Sequence, residues 1–375
     1  MRIHYALIAT TLLSLLISGC TTSRATEPPS DAVLAKFRDD LIALRKRDKV
    51  LSFSVALVHK GEIVFAEGIG WQDHDAEEPT TVDTSYLVAS ITKTFTGATL
   101  LAMDADGHIN LDAPFTSLSD WPERCEWLTS VGIIFGGGTT DDGTVIEPPR
   151  CDTPISVRQV LQHRVNGEPG STFVYNPVVF GRLSNWIEEN TDRNWRDWMH
   201  HYVIDPAGLT NVAAGWRDPA GVESLRNLAP PFRLAPEQSD GLDPSVLPNP
   251  ELNASSGIIA SAIDLANYSI ALDNEKILPA ALRETMWTPP TNADGTTAHY
   301  AYGWWVQEWK GHRLVWHGGW WPDAYAGLLL KAPDDDWALI ALGNTDALNW
   351  SNPLHRAHVH ESAIGKLFLE TFIEP

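Results

Sequence analysis

Ser90 and Lys93 stand three positions apart at the start of a segment, residues 90–103, whose pattern predicts a helix. Positions i and i+3 lie on one face of a helix, so the lysine amine can reach the serine hydroxyl. A serine hydroxyl becomes a good nucleophile when a base removes its proton, and a partly desolvated lysine can be that base. The helix N-terminus adds positive potential for an oxyanion. The pair indicates acyl transfer through serine; the alternative is a capping serine beside a solvated lysine.

Further motifs follow Ser90 in a fixed order, and the set is far more specific than the serine–lysine pair alone. They lie at residues 106–112, 155–163, 169–175, 206–210, 255–266, 302–305 and 317–319. Together they resemble the motifs of the class C β-lactamase and penicillin-binding-protein superfamily of serine hydrolases, which includes DD-peptidases and esterases. The resemblance covers about residues 31–375. It implies an acyl-enzyme that water then hydrolyses, and no cofactor or metal is expected.

The resemblance also assigns roles to individual residues. Ser90 would be the nucleophile, Lys93 the general base, and Tyr175 the phenol that carries a proton to the leaving group. His317 occupies the position of the family's Lys or His before a pair of small residues. The backbone N–H groups of Ser90 and Trp320 would form the oxyanion hole. Substrate contacts are expected at Asn176, Gly318, Gly319 and Trp321.

Two departures from the family pattern bear on the substrate. The family's Tyr-x-Asn is replaced by Tyr175, Asn176 and Pro177, so Asn176 stands one position early unless its loop turns it inward. The family's Lys-Thr-Gly is replaced by residues 317–319, His-Gly-Gly, which is an esterase-like variant. A β-lactam or D-Ala-D-Ala peptide would leave its carboxylate and amide poorly paired there, so a carboxylic ester or small amide is favoured. A D-Ala-D-Ala carboxypeptidase, a β-lactamase and a catalytically inactive cell-envelope binding protein are the alternatives.

Other residues that could do chemistry have simpler interpretations. Trp320 and Trp321 stand where substrate would lie and favour an apolar acyl group or a sugar face, although aromatic residues also pack sheet cores. His163 is interpreted as structural. No Gly-x-Ser-x-Gly occurs, which argues against an α/β-hydrolase. The C-terminal histidines have no accompanying Cys or suitably spaced acid for a metal site: His355, His358 and His360.

The N-terminus is typical of a bacterial lipoprotein signal. Arg2 precedes an apolar run at residues 6–17, which is too short to span a membrane comfortably. Residues 17–20 resemble a lipobox, so residues 1–19 are expected to be removed and Cys20 to be lipidated; an ordinary cleaved signal peptide is the alternative. Residues 20–30 would be a flexible tether. The protein is thus expected to be exported and anchored in the cell envelope, on the periplasmic side, by lipid.

The net charge and the number of cysteines indicate which class of partner is excluded and whether a disulfide forms. A formal net charge of -21 argues against nucleic acid as a partner, because so acidic a chain repels phosphate. With Cys20 assigned to lipid, Cys125 and Cys151 are an even pair in an oxidising compartment, and a disulfide is favoured over two free thiols.

The pattern of predicted elements indicates an α+β fold. Strands lie near both ends and helices between them, which predicts one antiparallel sheet completed by N- and C-terminal strands, with an inserted helical lobe. Residues 31–375 are expected to form a single catalytic domain. The predicted terminal elements are a helix at 31–48, strands at 52–59, 62–69, 302–309, 313–316, 325–331 and 337–342, and a helix at 363–373.

Overall fold

The computed structural model describes residues 28–73, 77–234, 241–248 and 251–374. The predicted signal peptide and the lipidation site at Cys20 therefore lie outside the described residues. Within the described ranges, no helix is both long enough and apolar enough to cross a membrane.

The largest element is an antiparallel sheet of eight strands. Strands of the described chain are β1 (Ser52–His59), β2 (Glu62–Asp73), β3 (Glu78–Pro79), β4 (Ser85–Leu87), β5 (Gly138–Thr139), β6 (Val145–Ile146), β7 (Ala213–Ala214), β8 (Phe232–Leu234), β9 (Leu242–Pro244), β10 (Ile258–Ser261), β11 (Tyr300–Ala301), β12 (Trp304–Trp309), β13 (His312–Trp321), β14 (Tyr325–Ala332) and β15 (Trp337–Gly343). The order in the main sheet is β11-β12-β13-β14-β15-β1-β2-β3, while β4-β10-β7 form a small second sheet.

The N- and C-terminal strands meet in the middle of the main sheet. β1 pairs with β15 from Phe53 opposite Gly343 to His59 opposite Trp337. All eight residues of β1 are buried, as expected for a nearly continuous apolar run covered on both faces. β1 and β2 are joined by a two-residue turn at Lys60 and Gly61, both with positive φ, which suits a hairpin. The predicted α+β fold, with a sheet completed by both termini, is confirmed.

Helices pack on the sheet and form the lobe between β3 and β11. Those of the described chain are α1 (Asp31–Arg47), α2 (Thr92–Ala105), α3 (Trp121–Ser130), α4 (Val157–Leu161), α5 (Pro177–Gly181), α6 (Leu183–Asn190), α7 (Trp195–Met199), α8 (Val222–Arg226), α9 (Ala262–Asp273), α10 (Ala280–Met286) and α11 (Ala363–Phe368). Helix α9 contacts β1 and β15, whereas α11 contacts β15 and α1. Helix α2 is buried from Thr92 to Met103 and contacts α7, α10 and β12.

Three boundaries differ from the sequence predictions. The segment predicted as a helix from residue 90 begins with a 3-10 turn, Ala89–Ile91, and α2 starts only at Thr92. The strand predicted at 313–316 is the ten-residue β13, which includes the whole His-Gly-Gly motif. The closing helix changes to π-helix at Leu369–Ile373. Element ends are set by tertiary contacts that local patterns do not contain.

A disulfide joins Cys125, on α3, to Cys151, with the two Cα atoms 5.6 Å apart. The segment that it closes carries the β5–β6 hairpin and Phe135. The carbonyl of Phe135 accepts hydrogen bonds from the side chains of Asn166 and Asn176, at 3.1 and 3.0 Å. The bridged segment is therefore hydrogen-bonded directly to Asn176, the residue after Tyr175.

Candidate active site

Ser90 lies in the 3-10 turn that connects β4 to α2. The turn is anchored where the Val88 N–H donates to the Ile258 carbonyl of β10 at 3.0 Å. Ala89 has a φ of 45°, a left-handed conformation that is strained for a residue with a Cβ and concentrates at functional sites. Ser90 is half-buried between two buried neighbours, Ala89 and Ile91. The sharp turn therefore presents one hydroxyl to solvent at the end of a buried helix.

Lys93 is buried completely in the first turn of α2. Its Nζ lies 2.9 Å from Ser90 Oγ and 3.0 Å from the Ser255 carbonyl oxygen. The rings of Tyr175 and Phe180 cover the amine, with centroids 5.1 and 5.5 Å away. Burial holds the pKa of Lys93 well below its usual range, because the charged form loses hydration. The amine is thus suited to accept a proton.

Tyr175 completes a hydrogen-bonded trio. Its hydroxyl donates to Ser90 Oγ at 3.0 Å, and its backbone N–H donates to the Leu354 carbonyl at 2.7 Å. The ring stacks on Trp305 with centroids 5.4 Å apart. Burial raises the pKa of Tyr175, so the phenol stays protonated near neutral pH. The phenol is consequently a proton donor in the resting site.

The trio has a consistent arrangement of protons when Lys93 is neutral. Ser90 Oγ accepts the Tyr175 hydroxyl proton and can donate its own to the Lys93 lone pair. An N–H of the amine remains for the Ser255 carbonyl. Hydrogen positions here follow from donor and acceptor chemistry. The structure thus brings the three residues together in the geometry required of an activated nucleophile.

His317 lies near the trio but makes no hydrogen bond to Ser90 or Lys93. It is buried; Nδ1 donates to the Gly318 carbonyl at 2.7 Å, which leaves Nε2 to accept from the Tyr300 hydroxyl at 3.0 Å. Burial lowers the pKa of His317 well below its usual range, and a positive charge on Lys93 would lower it further. The ring is therefore neutral and supports Tyr300, a contact that no sequence motif indicated.

The remaining residues of the strand motif line one edge of β13. Pairing with β12 ends at Trp305 opposite Trp316, whereas pairing with β14 continues to Trp321, so among the described strands residues 317–321 have one free edge. A Cβ at Gly319 would collide with the Val88 carbonyl, so glycine is required for β13 to approach the nucleophile turn. That approach brings the backbone of Trp320 towards Ser90, where a second oxyanion donor is expected.

Trp320 and Trp321 differ in exposure. The Trp320 side chain is 49% exposed, and its Nε1 donates to Asp346 Oδ2 at 3.4 Å. Trp321 is half-buried beside it on β13. Trp320 thus offers an exposed aromatic surface at the end of the strand.

Trp350 is a site residue that sequence reasoning missed. A Cβ built on Gly318 would lie 3.2 Å from Cη2 and 3.4 Å from Cζ3 of the Trp350 indole. This indole packs at 5.4 Å, centroid to centroid, against Trp316, which stacks on Trp305 at 5.2 Å. The indole lies against position 318, where the family's Lys-Thr-Gly motif carries its threonine, and it would have to shift by a few tenths of an ångström to admit a Cβ there. Trp350 lies in a loop after β15, so no local pattern could have identified it.

The Asn176 side chain has no exposed surface, which does not fit the substrate contact that the sequence predicted. Its side chain is buried and caps α5, where Oδ1 accepts from the Val179 N–H at 3.2 Å. Nδ2 donates to the Phe135 carbonyl and to Asn166 Oδ1. Pro177, at the first position of α5, fixes this arrangement because its φ suits a helix start. The family's amide at this place is therefore lost, not restored by Asn176.

Two cavities flank this region. The larger, about 530 Å³, lies beside Phe173 and Val174 and does not include Ser90 or Lys93. The smaller, about 380 Å³, includes Ser255, whose carbonyl accepts the hydrogen bond from Lys93. It is lined by Pro177, Val178, Gly181, Arg182, Asn185, Asn253 and Ser255. Of these two cavities, the smaller is the better candidate for a substrate group, since Ser255 in its lining is hydrogen-bonded to Lys93. Within the described ranges, no group of three or more His, Cys, Asp or Glu is placed to hold a metal ion.

Comparison with known proteins supports the family resemblance and the fold. A protein-family model described as Beta-lactamase matches residues 37–364. The D-aminopeptidase of Gluconobacter oxydans is 23% identical over 309 residues, which cover 77% of this chain and 55% of that protein. The chain thus spans little more than half the length of this relative.

Solved structures share the fold. The octameric penicillin-binding protein homologue from Pyrococcus abyssi has a TM-score of 0.67 at 20% identity, covering 85% of this chain and 74% of that one. EstCE1, described as a hydrolase with promiscuous acyltransferase activity, has a TM-score of 0.63 at 17% identity, covering 90% of this chain and 98% of its own. At these identities the two structures confirm the fold alone.

Proposed function

This chain belongs to the beta-lactamase family of serine hydrolases, and we propose that it cleaves carboxylic esters or small amides through an acyl-enzyme on Ser90. We propose further that it discriminates against β-lactams and peptides with a free terminal carboxylate. The similarity to a D-aminopeptidase keeps small amides within the proposal.

The observation that carries the substrate preference is the indole of Trp350 beside Gly318. A hydroxyl-bearing side chain at position 318 would need Trp350 to move, since even a Cβ there would lie 3.2 Å from the ring. The neighbouring His317 is neutral and already paired through both ring nitrogens. A substrate carboxylate placed here would lose water without gaining a cation or hydroxyl, at a cost of about 1–3 kcal/mol for each unpaired group. An ester has no such group to pair.

Acylation follows from the hydrogen bonds of the trio. Ser90 Oγ attacks the carbonyl carbon while Lys93 Nζ takes the serine proton. The negative charge develops on the carbonyl oxygen, opposite the backbone N–H groups of Ser90 and Trp320. As the carbonyl re-forms, Tyr175 gives its hydroxyl proton to the leaving alkoxide or amine, and Lys93 returns a proton to Tyr175. The products of this step are an ester on Ser90 and a neutral leaving group.

Deacylation uses the same groups in the reverse sense. Water attacks the acyl carbonyl and gives up a proton. Lys93 accepts this proton, either directly or by way of Tyr175. Collapse of the second intermediate releases the acid, and Ser90 Oγ recovers its proton. The free edge of β13 and the cavity beside Ser255 leave space for the acyl group and for water.

A substrate panel tests this proposal. Short-chain p-nitrophenyl esters and amino-acid p-nitroanilides should be hydrolysed with higher kcat/KM than nitrocefin or a D-Ala-D-Ala peptide. Ser90→Ala should abolish turnover and labelling by a fluorophosphonate, whereas Ser351→Ala, at an exposed serine, should change neither. Higher kcat/KM for nitrocefin or the peptide would refute the substrate preference. Labelling that survives Ser90→Ala would refute the mechanism.

We also propose the cellular location that the N-terminal sequence indicates: export, lipidation at Cys20 and anchoring on the periplasmic side of the envelope. In bacteria expressing the full chain, metabolic labelling with a fatty-acid analogue should mark the protein, and Cys20→Ala should release it to the soluble fraction. An unlabelled protein that is soluble without the substitution would contradict this expectation.

A further inference from the structure

We propose that His163 is a positioning residue for Tyr175, acting through the ring nitrogen Nδ1 that holds the main chain next to the phenol. The inference deepens the proposed function and rests on it, because it concerns how Ser90, Lys93 and Tyr175 are held in their hydrogen-bonded arrangement.

His163 binds the chain on both sides of Tyr175. Its carbonyl accepts from the Val174 N–H at 3.0 Å, and its Nδ1 accepts from the Asn176 N–H at 3.0 Å. Together with the bond from the Tyr175 N–H to Leu354, these contacts fix three consecutive peptide groups. The phenol can then reach Ser90 only from one direction.

The ring itself is wedged among aromatic side chains. Its centroid lies 4.5 Å from that of Tyr175, 4.9 Å from that of Phe180 and 4.6 Å from that of Tyr300. Phe180 and Tyr175 are the rings that cover the Lys93 amine. A shift of the imidazole would therefore reach both the donor and the base of the trio.

The proton arrangement shows what the imidazole contributes. Because Nδ1 accepts from a backbone N–H, the neutral ring carries its proton on Nε2. Nε2 is buried and has no hydrogen-bond partner among the described residues. A buried unpaired N–H costs free energy that an apolar side chain would avoid. The imidazole therefore contributes its acceptor, and burial lowers the pKa of His163 so that this acceptor is not protonated.

The test compares variants with and without a hydrogen-bond acceptor at position 163. His163→Leu and His163→Met have no acceptor. In His163→Asn the side-chain Oδ1 can replace Nδ1, and asparagine tolerates the φ of 51° at this position. With a p-nitrophenyl ester, both apolar variants should lose about tenfold or more in kcat, with KM changed by less than about twofold. His163→Asn should keep kcat within about threefold of the parent, even if its melting temperature falls.

A second background separates positioning from general destabilisation. In Tyr175→Phe, where the phenol is absent, His163→Leu should lower the residual kcat by less than about twofold, because the two residues act as one unit. An equal loss of kcat in both backgrounds would overturn the inference. Two other results would also overturn the inference: an equal loss of kcat in His163→Asn and in the apolar variants, or a full kcat in the apolar variants.

The rate of Ser90 labelling by a fluorophosphonate gives the same comparison without a substrate. If the parent enzyme hydrolyses no ester, the proposed function fails, but the ratio of labelling rates among the His163 variants still decides the inference. The apolar variants should label at least about tenfold more slowly than His163→Asn.

Discussion

Replacing Lys93 with methionine should separate the catalytic value of the buried amine from its cost to stability. Methionine reaches as far as the Cε of lysine but lacks the terminal nitrogen that contacts Ser90 and Ser255. Removing a general base typically lowers the rate by about 10²–10⁴-fold, so kcat/KM for esters should fall in that range. The free energy of unfolding should respond differently, because it depends on how many protons Lys93 binds in the folded and in the unfolded state.

The direction of the stability change with pH follows from the pKa of Lys93, which burial lowers from the ordinary 10.5. Between the folded-state pKa and 10.5, the unfolded chain binds a proton at Lys93 that the folded chain does not bind. Stability of the parent should therefore rise with pH in this window, by about 1.4 kcal/mol per pH unit relative to Lys93→Met. Below the folded-state pKa, the difference should become constant, with the variant relatively stabilised. The unpaired Ser255 carbonyl of the variant offsets about 1–3 kcal/mol of that gain.

The measurement is the free energy of unfolding in urea for both proteins at intervals from about pH 6 to about pH 9. Titrations that the two proteins share cancel in the difference. Lys276→Met, at an exposed lysine, removes the same charge and should not reproduce the slope. A parent-minus-variant difference that stays flat across the range would mean that Lys93 carries the same proton in both states. In that case Lys93 could not be the base at neutral pH, and the mechanism above would be refuted.

Three further substitutions test other parts of the site. Tyr175→Phe removes the hydroxyl that donates to Ser90 and should lower kcat for esters by about 10²–10⁴-fold, while an unchanged kcat would exclude the phenol from proton transfer. Gly318→Thr with Trp350→Ala should raise kcat/KM for nitrocefin at least about tenfold over Gly318→Thr alone; equal values would show that the indole does not restrict the site. Asn176→Ala should lower the free energy of unfolding, measured in urea, by about 2–4 kcal/mol with little change in ester KM, whereas a large rise in KM would make it a substrate contact.

The sequence was sufficient for the parts of the site that local chemistry determines. Ser90 and Lys93 meet because both stand at the start of α2, and three positions of helical or 3-10 turn place them together. A sheet shared by N- and C-terminal strands was predictable because apolar strand patterns lie near both ends of the chain, whereas the pairing of β1 with β15 was not specified. Tyr175 could be placed only through resemblance to known motifs, since its contact with Ser90 spans 85 positions of sequence.

Other parts of the site depend on where side chains turn, which short patterns do not specify. Asn176 faces the helix that it caps, because Pro177 begins α5 immediately after it. Trp350 reaches Gly318 from a loop that follows β15 in the chain. Tyr300 meets His317 because β11 folds back beside β12, a pairing of only two residues. Each of these contacts joins distant segments, and no spacing rule links their residues.

The catalytic geometry depends on two places where backbone packs directly on backbone. A Cβ at Gly303 would collide with the Lys93 carbonyl, and one at Gly319 would collide with the Val88 carbonyl. Through these contacts the β11–β12 turn and β13 pack directly against the segment that carries Ser90. Neither contact leaves space for a methyl group. A slip of one residue in β13 would move Gly319 away from Val88 and turn every side chain of the strand to the other face. The register of the main sheet, set mainly by the pairing of β1, β15 and β14, therefore also sets the distance between Ser90 and the backbone N–H of Trp320, the proposed second oxyanion donor.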